Sequence, residues 1–253
     1  MDLGLRDRVY LVTGGTRGLG FATARALVDD GARVVVSGRD EKRVAEAVAA
    51  LGGPERALGI AADNGDSGAA ERLVAAALAR FERLDGALVS VGGPPAGTIG
   101  AVDDDQWRES FESVFLGAVR LARATSAALH AGGAIGFVLS SSARQPVPGL
   151  GISNGLRPGL AGVAKSLADE LGPRGIRVFG LLPGRIDTDR VRELDDLGGD
   201  AEATRARQSE AIPLGRYGAP EEFGRVAAFT LSPAASYLSG LLIPIDGGLA
   251  RSL

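Results

Sequence analysis

The apolar run Val9-Tyr10-Leu11-Val12-Thr13 passes directly into Gly14-Gly15-Thr16-Arg17-Gly18-Leu19-Gly20, and then into a stretch with apolar residues at Phe21, Ala24, Leu27 and Val28. This junction restricts the fold more than any other feature of the chain. Its first part reads as a strand buried on both faces, and its last part as a helix with one apolar face. Glycine between the two meets three needs: a tight turn, close approach of backbone to a diphosphate, and close packing of helix on strand. The helix also presents free N–H groups to a phosphate at its N-terminus. A nucleotide cradle of Gly14, Thr16, Arg17, Gly18, Leu19 and Gly20 is therefore expected.

The same rhythm continues along the chain. Strands are expected at Val9–Thr13, Arg33–Ser37, Ala57–Ala61, Gly86–Ser90, Ala134–Ser140, Arg177–Leu182 and Leu241–Ile245. Helices are expected at Gly18–Asp30, Glu41–Leu51, Ser67–Glu82, Asp104–Ala128, within Ser153–Leu171, and at Pro220–Leu231. Continuous apolar strands separated by helices imply a parallel sheet covered on both faces. The expected fold is α/β: a single Rossmann-type doubly wound domain over residues 1–253, with a seven-stranded parallel sheet flanked by helices. The polar, Gly-punctuated segment Asp187–Ile212 follows a strand end and reads as a lid or substrate loop.

Composition removes several function classes. The chain has no cysteine, so neither a disulfide framework nor a thiolate metal site can form. Its single histidine, His130, precedes Gly132-Gly133 and reads as part of a surface turn, so no metal site is expected. A net charge of −3 gives no footprint for nucleic acid or an anionic membrane. No apolar run approaches the roughly 18–20 residues of a membrane span, and Met1–Arg8 has no signal-peptide pattern. Cytoplasm is the expected location.

The end of the second strand bears on the choice of cofactor. An acidic residue there would accept from a ribose 2′-hydroxyl. The chain has Ser37-Gly38-Arg39 instead. The Arg39 guanidinium suits a 2′-phosphate, and Arg17 in the turn adds a second positive charge. NADP(H) is expected in preference to NAD(H). Asp40 reads as the cap of the next helix.

Further segments fall into one pattern with the glycine turn. In order along the chain come Thr13-Gly14 with Gly18-Leu19-Gly20, Asp63-Asn64, Ser140 with Ser153 and Arg157, Pro183-Gly184-Arg185-Ile186-Asp187-Thr188, Ser236-Tyr237-Leu238-Ser239-Gly240 and Asp246-Gly247-Gly248. Together they resemble the short-chain dehydrogenase/reductase family, in particular its 3-oxoacyl-acyl-carrier-protein reductases. The resemblance covers the chain from about residue 5 to residue 250. It implies an oxidoreductase acting on a carbonyl or alcohol of a small molecule, assembled as a homotetramer or homodimer. It also implies cofactor contacts at Asp63 and Asn64 near the adenine, at Ser90 and Gly92 after the fourth strand, and at Pro183, Gly184, Ile186 and Thr188 beside the nicotinamide.

The catalytic positions implied by the resemblance are Ser140, Ser153 and Arg157, and here the chain departs from the family. The family places a tyrosine where Ser153 stands, a lysine where Arg157 stands, and an asparagine at Val114. A phenol ionises near pH 10, and a neighbouring cation lowers that value. An aliphatic hydroxyl is a far weaker acid, and serine is shorter. Arg157 cannot deprotonate, but it can hold ribose hydroxyls or a substrate carboxylate. Lys165, eight residues beyond Arg157, lies about 12 Å further along a helix. Ser153 itself reads as a helix cap. Arg144 and Arg185 are candidates for a pocket entrance that favours an anionic substrate, and Asp187 and Asp189 for a carboxylate acid/base. Pro158 predicts a helix that begins only near Asn154–Arg157, or is distorted there. Gly155, Gly159 and Gly162 offer small surfaces to another helix. Three functions stay open: an oxidoreductase with an atypical active site, an NADP(H)-binding pseudoenzyme or regulatory protein without turnover, and non-redox chemistry on an anionic ligand clamped by Arg157.

Overall fold

Seven short runs rich in Val, Ile, Leu and Ala pair into a parallel sheet, as their lack of polar alternation requires. The computed structural model describes residues 2–197 and 199–251. Its strands are β1 (Val9–Val12), β2 (Arg33–Gly38), β3 (Ala57–Ala61), β4 (Gly86–Val89), β5 (Ala134–Val138), β6 (Arg177–Pro183) and β7 (Leu242–Ile245). They lie in the order β3-β2-β1-β4-β5-β6-β7. Leu11 pairs with Val35 on one side and with Ala87 on the other. Chain order reverses on either side of β1, so a crevice opens at the C-terminal ends of β1 and β4.

The helices are α1 (Gly18–Asp29), α2 (Glu41–Ala50), α3 (Ala69–Phe81), α4 (Asp104–Ser110), α5 (Gly117–Ala128), α6 (Gly151–Leu171), α7 (Asp189–Asp196), α8 (Ala201–Glu210) and α9 (Pro220–Leu231). Side chains alternate across the sheet, so Val9 and Leu11 enter one core while Tyr10 and Val12 enter the other. Leu73 of α3, Leu121 of α5 and Leu160 of α6 fill the first core. Leu27 of α1 and Phe223 and Ala227 of α9 fill the second. A fully buried leucine such as Leu73 contributes about 1.5–3 kcal/mol relative to an exposed one. Gly224 lets α9 lie directly on α1, because a Cβ there would run into the Ala22 carbonyl.

Three expectations are corrected. The helix expected over Asp104–Ala128 is interrupted by a π-helical turn, Phe111–Leu116, between α4 and α5. Apolar spacing does not distinguish this turn from an α-turn; the Ser113 hydroxyl of the turn donates back to the Glu109 carbonyl of α4, and the Asn64 carbonyl abuts Gly117 just after it. The segment Asp187–Ile212 is not a loop, for it carries α7 and α8. Thr188 and Asp200 cap these helices. Both are short and mostly polar, and ion pairs of Arg185 with Asp195 and of Arg205 with Asp187 tie them down.

The third correction concerns α6, which starts at Gly151 and runs through Pro158. Proline forfeits one backbone bond, but its ring sits on the exposed side. The opposite face, with Ile152, Leu156, Leu160 and Ala164, is buried and keeps the helix continuous. Gly155 and Gly159 admit Trp107 and Phe115, whereas a Cβ on Gly162 would meet nothing within 4 Å.

Candidate cofactor and active site

Where β1 ends, the Thr13 hydroxyl accepts from the Ser90 N–H and donates to the Ser90 carbonyl, both at 2.9 Å. This clamp fixes the glycine turn to the end of β4. Gly14 adopts φ +57°, and a Cβ there would stand 2.9 Å from the Ser90 carbonyl oxygen. Gly18 also has positive φ, at +55°, and a Cβ on Gly20 would strike the Gly14 carbonyl. The turn is shaped by the absence of side chains. Arg17 stands at the N-cap of α1 and makes no side-chain cap bond, so no cap blocks the free N–H groups of α1.

The next two strands end beside this turn. The Gly15 N–H donates to the Ser37 carbonyl at 3.0 Å. Ser37 is buried and Arg39 is exposed, and Arg39 has no ion-pair partner among the described residues. Asp40 caps α2, its carboxylate accepting from the Arg43 N–H at 3.0 Å. Asp63 accepts from the Gly65 N–H at 2.9 Å. Thr16 and Arg17 line a cavity of about 330 Å³ together with Phe21, Arg43, Glu46 and Asp189.

At the end of β6, the Gly184 N–H donates to the Ile245 carbonyl at 3.0 Å, and a Cβ on Gly184 would lie 2.6 Å from the Asp246 Cβ. Pro183 is the last residue of β6. Ile186 is buried. Thr188 caps α7, and its methyl lies 3.5 Å from where a Cβ on Gly18 would stand. The end of β6 therefore reaches back to the glycine turn.

Ser140 follows β5, and its Oγ accepts from the Ser142 N–H at 3.1 Å. The Ser142 hydroxyl lies 2.9 Å from the Ser153 hydroxyl. Ser142 thus joins the two serines. Ser153 is the third residue of α6 and does not cap it, which corrects the expectation for that residue. The helix start is pinned instead by Asn154, whose side chain accepts from the Val147 N–H and donates to the Val147 carbonyl, both at 2.9 Å.

Arg157 is 5% exposed. Its Nη1 donates to the Val138 carbonyl at 2.9 Å and its Nη2 to the Gly92 carbonyl at 3.3 Å. Its Nε has no partner. Burial alone pulls its pKa down to about 10, so the group stays charged near neutrality. The guanidinium ties the end of β4 to the end of β5 with no counter-charge.

Other candidates are engaged elsewhere. Arg144 donates to the Leu242 carbonyl at 2.9 Å. Arg185 pairs with buried Asp195 at 2.9 Å, and Tyr217 donates to the same carboxylate at 3.1 Å. Asp187 accepts from Arg205 and Arg192, which hold its carboxyl below the ordinary range. A proton-transfer role does not suit it. Tyr10 lies in the core and burial raises its phenol pKa, while Tyr237 is fully exposed. Lys165 is exposed and pairs with Asp169 at 3.5 Å. The Thr13 clamp, the Ser142 bridge and Arg190, whose Nη2 donates to the Pro94 carbonyl at 2.7 Å, escaped sequence reasoning. Their partners are distant in sequence and leave no local pattern. Among the described residues, no group of three or more His, Cys, Asp or Glu could hold a metal, and no helix is long and apolar enough to cross a membrane.

Residues 14–250 match the family model described as enoyl-(acyl carrier protein) reductase. The chain belongs to the short-chain dehydrogenase/reductase family. It is 34% identical to the L-rhamnose 1-dehydrogenase (NAD(P)(+)) of Azotobacter vinelandii, over 98% of this chain and 99% of that one. L-sorbose reductase of Gluconobacter frateurii, solved with NADPH and L-sorbose, superposes with a TM-score of 0.93 at 30% identity, over the whole of both chains. A short-chain oxidoreductase of Pseudomonas aeruginosa PAO1, described as containing an atypical catalytic center, superposes with a TM-score of 0.90 at 29% identity, again over both whole chains. In this short-chain dehydrogenase/reductase, Ser153 and Arg157 both stand on α6, and the glycine turn joins β1 to α1.

Proposed function

We propose that the chain is an NADP(H)-dependent oxidoreductase that interconverts a carbonyl and an alcohol on a small molecule, with NAD(H) the poorer cofactor. One observation carries the cofactor preference: at the end of β2, exposed Arg39 lacks an ion-pair partner among the described residues, and no acid stands there to accept from a ribose 2′-hydroxyl. The residues present fit a dinucleotide. Gly14, Gly18 and Gly20 form a cradle that side chains would fill, and α1 offers its N-terminus to a diphosphate. Thr16, Leu19, Ser37, Asp63, Asn64, Ser90, Gly92, Pro183, Gly184, Ile186 and Thr188 line the remaining length of the site in this reading.

The nicotinamide supplies or accepts the hydride when bound. The chain's own work is orientation. Ser140, held by the Ser142 N–H, donates its hydroxyl proton in a hydrogen bond to the substrate oxygen. Ser153, coupled to Ser142, offers a second hydroxyl on the same side. In the reducing direction the substrate carbon takes the hydride and its oxygen takes a proton from water. Arg157 holds the ends of β4 and β5 in place, and its positive charge stabilises negative charge developing on that oxygen. The relatives named for L-rhamnose and L-sorbose support a polyhydroxylated substrate. We place the chain in the cytoplasm as one domain that self-associates; Phe111, 43% exposed and stacked on Phe115 at 5.2 Å, supports that association.

The test is NADPH consumption with a panel of sugars, ketones, acyl thioesters and quinones, run beside Arg157→Ala and Ser140→Ala. Turnover lowered in both variants, with NADPH affinity kept in Ser140→Ala, supports the reading. Tight NADPH binding with no turnover on any member would favour a binding protein instead.

A further inference from the structure

We propose that Asp189 is a specificity-determining residue of the cofactor site: it competes with the 2′-phosphate of NADP(H) for Arg17. The inference rests on the cofactor reading above. Asp189 Oδ2 lies 3.3 Å from Arg17 Nη1, with both side chains more than half exposed. Arg17 belongs to the glycine turn and Asp189 to the first turn of α7, so the pair spans the mouth of the crevice.

The contact does not stand alone. Asp189 also reaches Arg192 at 3.7 Å. Arg192 holds Asp187 at 2.8 Å, and Asp187 holds Arg205 of α8 at 3.0 Å. A continuous chain of ion pairs runs from the phosphate turn to α8. Two neighbours of Asp189 cross the same crevice: the Thr188 methyl lies against Gly18, and Arg190 donates to the Pro94 carbonyl. The strap of residues 188–190 is therefore seated on the walls between which a dinucleotide would lie.

A phosphate offers Arg17 two parallel charge-assisted bonds, whereas Asp189 offers one exposed contact. The phosphate prevails, but it must first displace the carboxylate, and apparent affinity falls by the fraction of molecules in which Arg17 is occupied. A nucleotide lacking the 2′-phosphate leaves the pair intact and escapes this competition. When Arg17 is taken, Asp189 keeps only Arg192, and α7 loses its ion-pair tie to the turn.

The experiment is a fluorescence titration of NADPH and NADH on wild type, Asp189→Asn, Arg17→Ala and the double variant, with amide hydrogen exchange of α7 measured without nucleotide. Asp189→Asn is expected to tighten NADPH about two- to fivefold, the range an exposed ion pair supports, and to leave NADH unchanged. The gain is expected to vanish in the Arg17→Ala background, and α7 in Asp189→Asn is expected to exchange faster than in wild type. Unchanged NADPH affinity, a gain equal for NADH, a gain that survives Arg17→Ala, or unaltered exchange would overturn the competition alone. Failure of the wild type to bind either nucleotide would overturn the cofactor reading, and the competition with it.

Discussion

Arg157 Nη1 donates to the Val138 carbonyl at 2.9 Å, and burial is the only influence that shifts the pKa of its guanidinium. A buried cation without a counter-ion is costly, and its persistence depends on the hydrogen bonds it makes. Arg157→Ala would remove the guanidinium donor from the buried Val138 carbonyl, leave the exposed Gly92 carbonyl to water, and open a cavity. A loss of about 2–4 kcal/mol is expected, read as a fall in melting temperature. Arg157→Met fills most of the volume and removes the charge, so its loss should be clearly smaller. Equal losses would show that the hydrogen bonds, rather than the packing, hold the strand ends.

Thr13 and Ser90 exchange two hydrogen bonds at 2.9 Å at a position only 1% exposed. Thr13→Val keeps the shape and leaves the Ser90 N–H unpaired. The expected cost is about 1–3 kcal/mol, together with weaker NADPH binding, because the glycine turn loses its anchor to β4. Chemical denaturation and nucleotide titration on the same variant check both effects.

Arg39→Ala tests the choice of cofactor. The variant should weaken NADPH about tenfold, the magnitude of one charge-assisted phosphate contact, and leave NADH nearly unaffected. Titration of both nucleotides decides it. An equal effect on the two would remove Arg39 from the 2′-phosphate site.

Pro158 lies inside α6 on its exposed face. Pro158→Ala restores the missing backbone donor and removes the ring from the helix interior. Stabilisation of about 1–3 kcal/mol is expected. For a chain of this size that is a rise of about 2–4 °C per kcal/mol, measured by calorimetry.

Glu222 accepts from Arg216 at 2.8 Å and from the Ala219 N–H at 2.7 Å, and these bonds lower its pKa from 4.5 to about 2. A folded-state value below the unfolded one gives stability that is present above about pH 4.5 and is lost as pH falls toward 2. Glu222→Gln should therefore melt below wild type at pH 7, and the gap should close on acidification. Melting curves from pH 7 to pH 2 test this.

The sequence by itself determined the β/α alternation and the place of the glycine turn, because strand periodicity and glycine's freedom are local properties. The Asp40 cap was legible for the same reason: its partner lies three residues away. Tertiary structure alone decided how Arg157 spends its donors, since Gly92 lies 65 residues from it. It also decided that Ser142 joins Ser140 to Ser153, that α6 runs through Pro158, and that the polar segment after β6 folds into α7 and α8. Those outcomes depend on carbonyls, carboxylates and buried faces brought together from distant parts of the chain, which no window of local sequence contains.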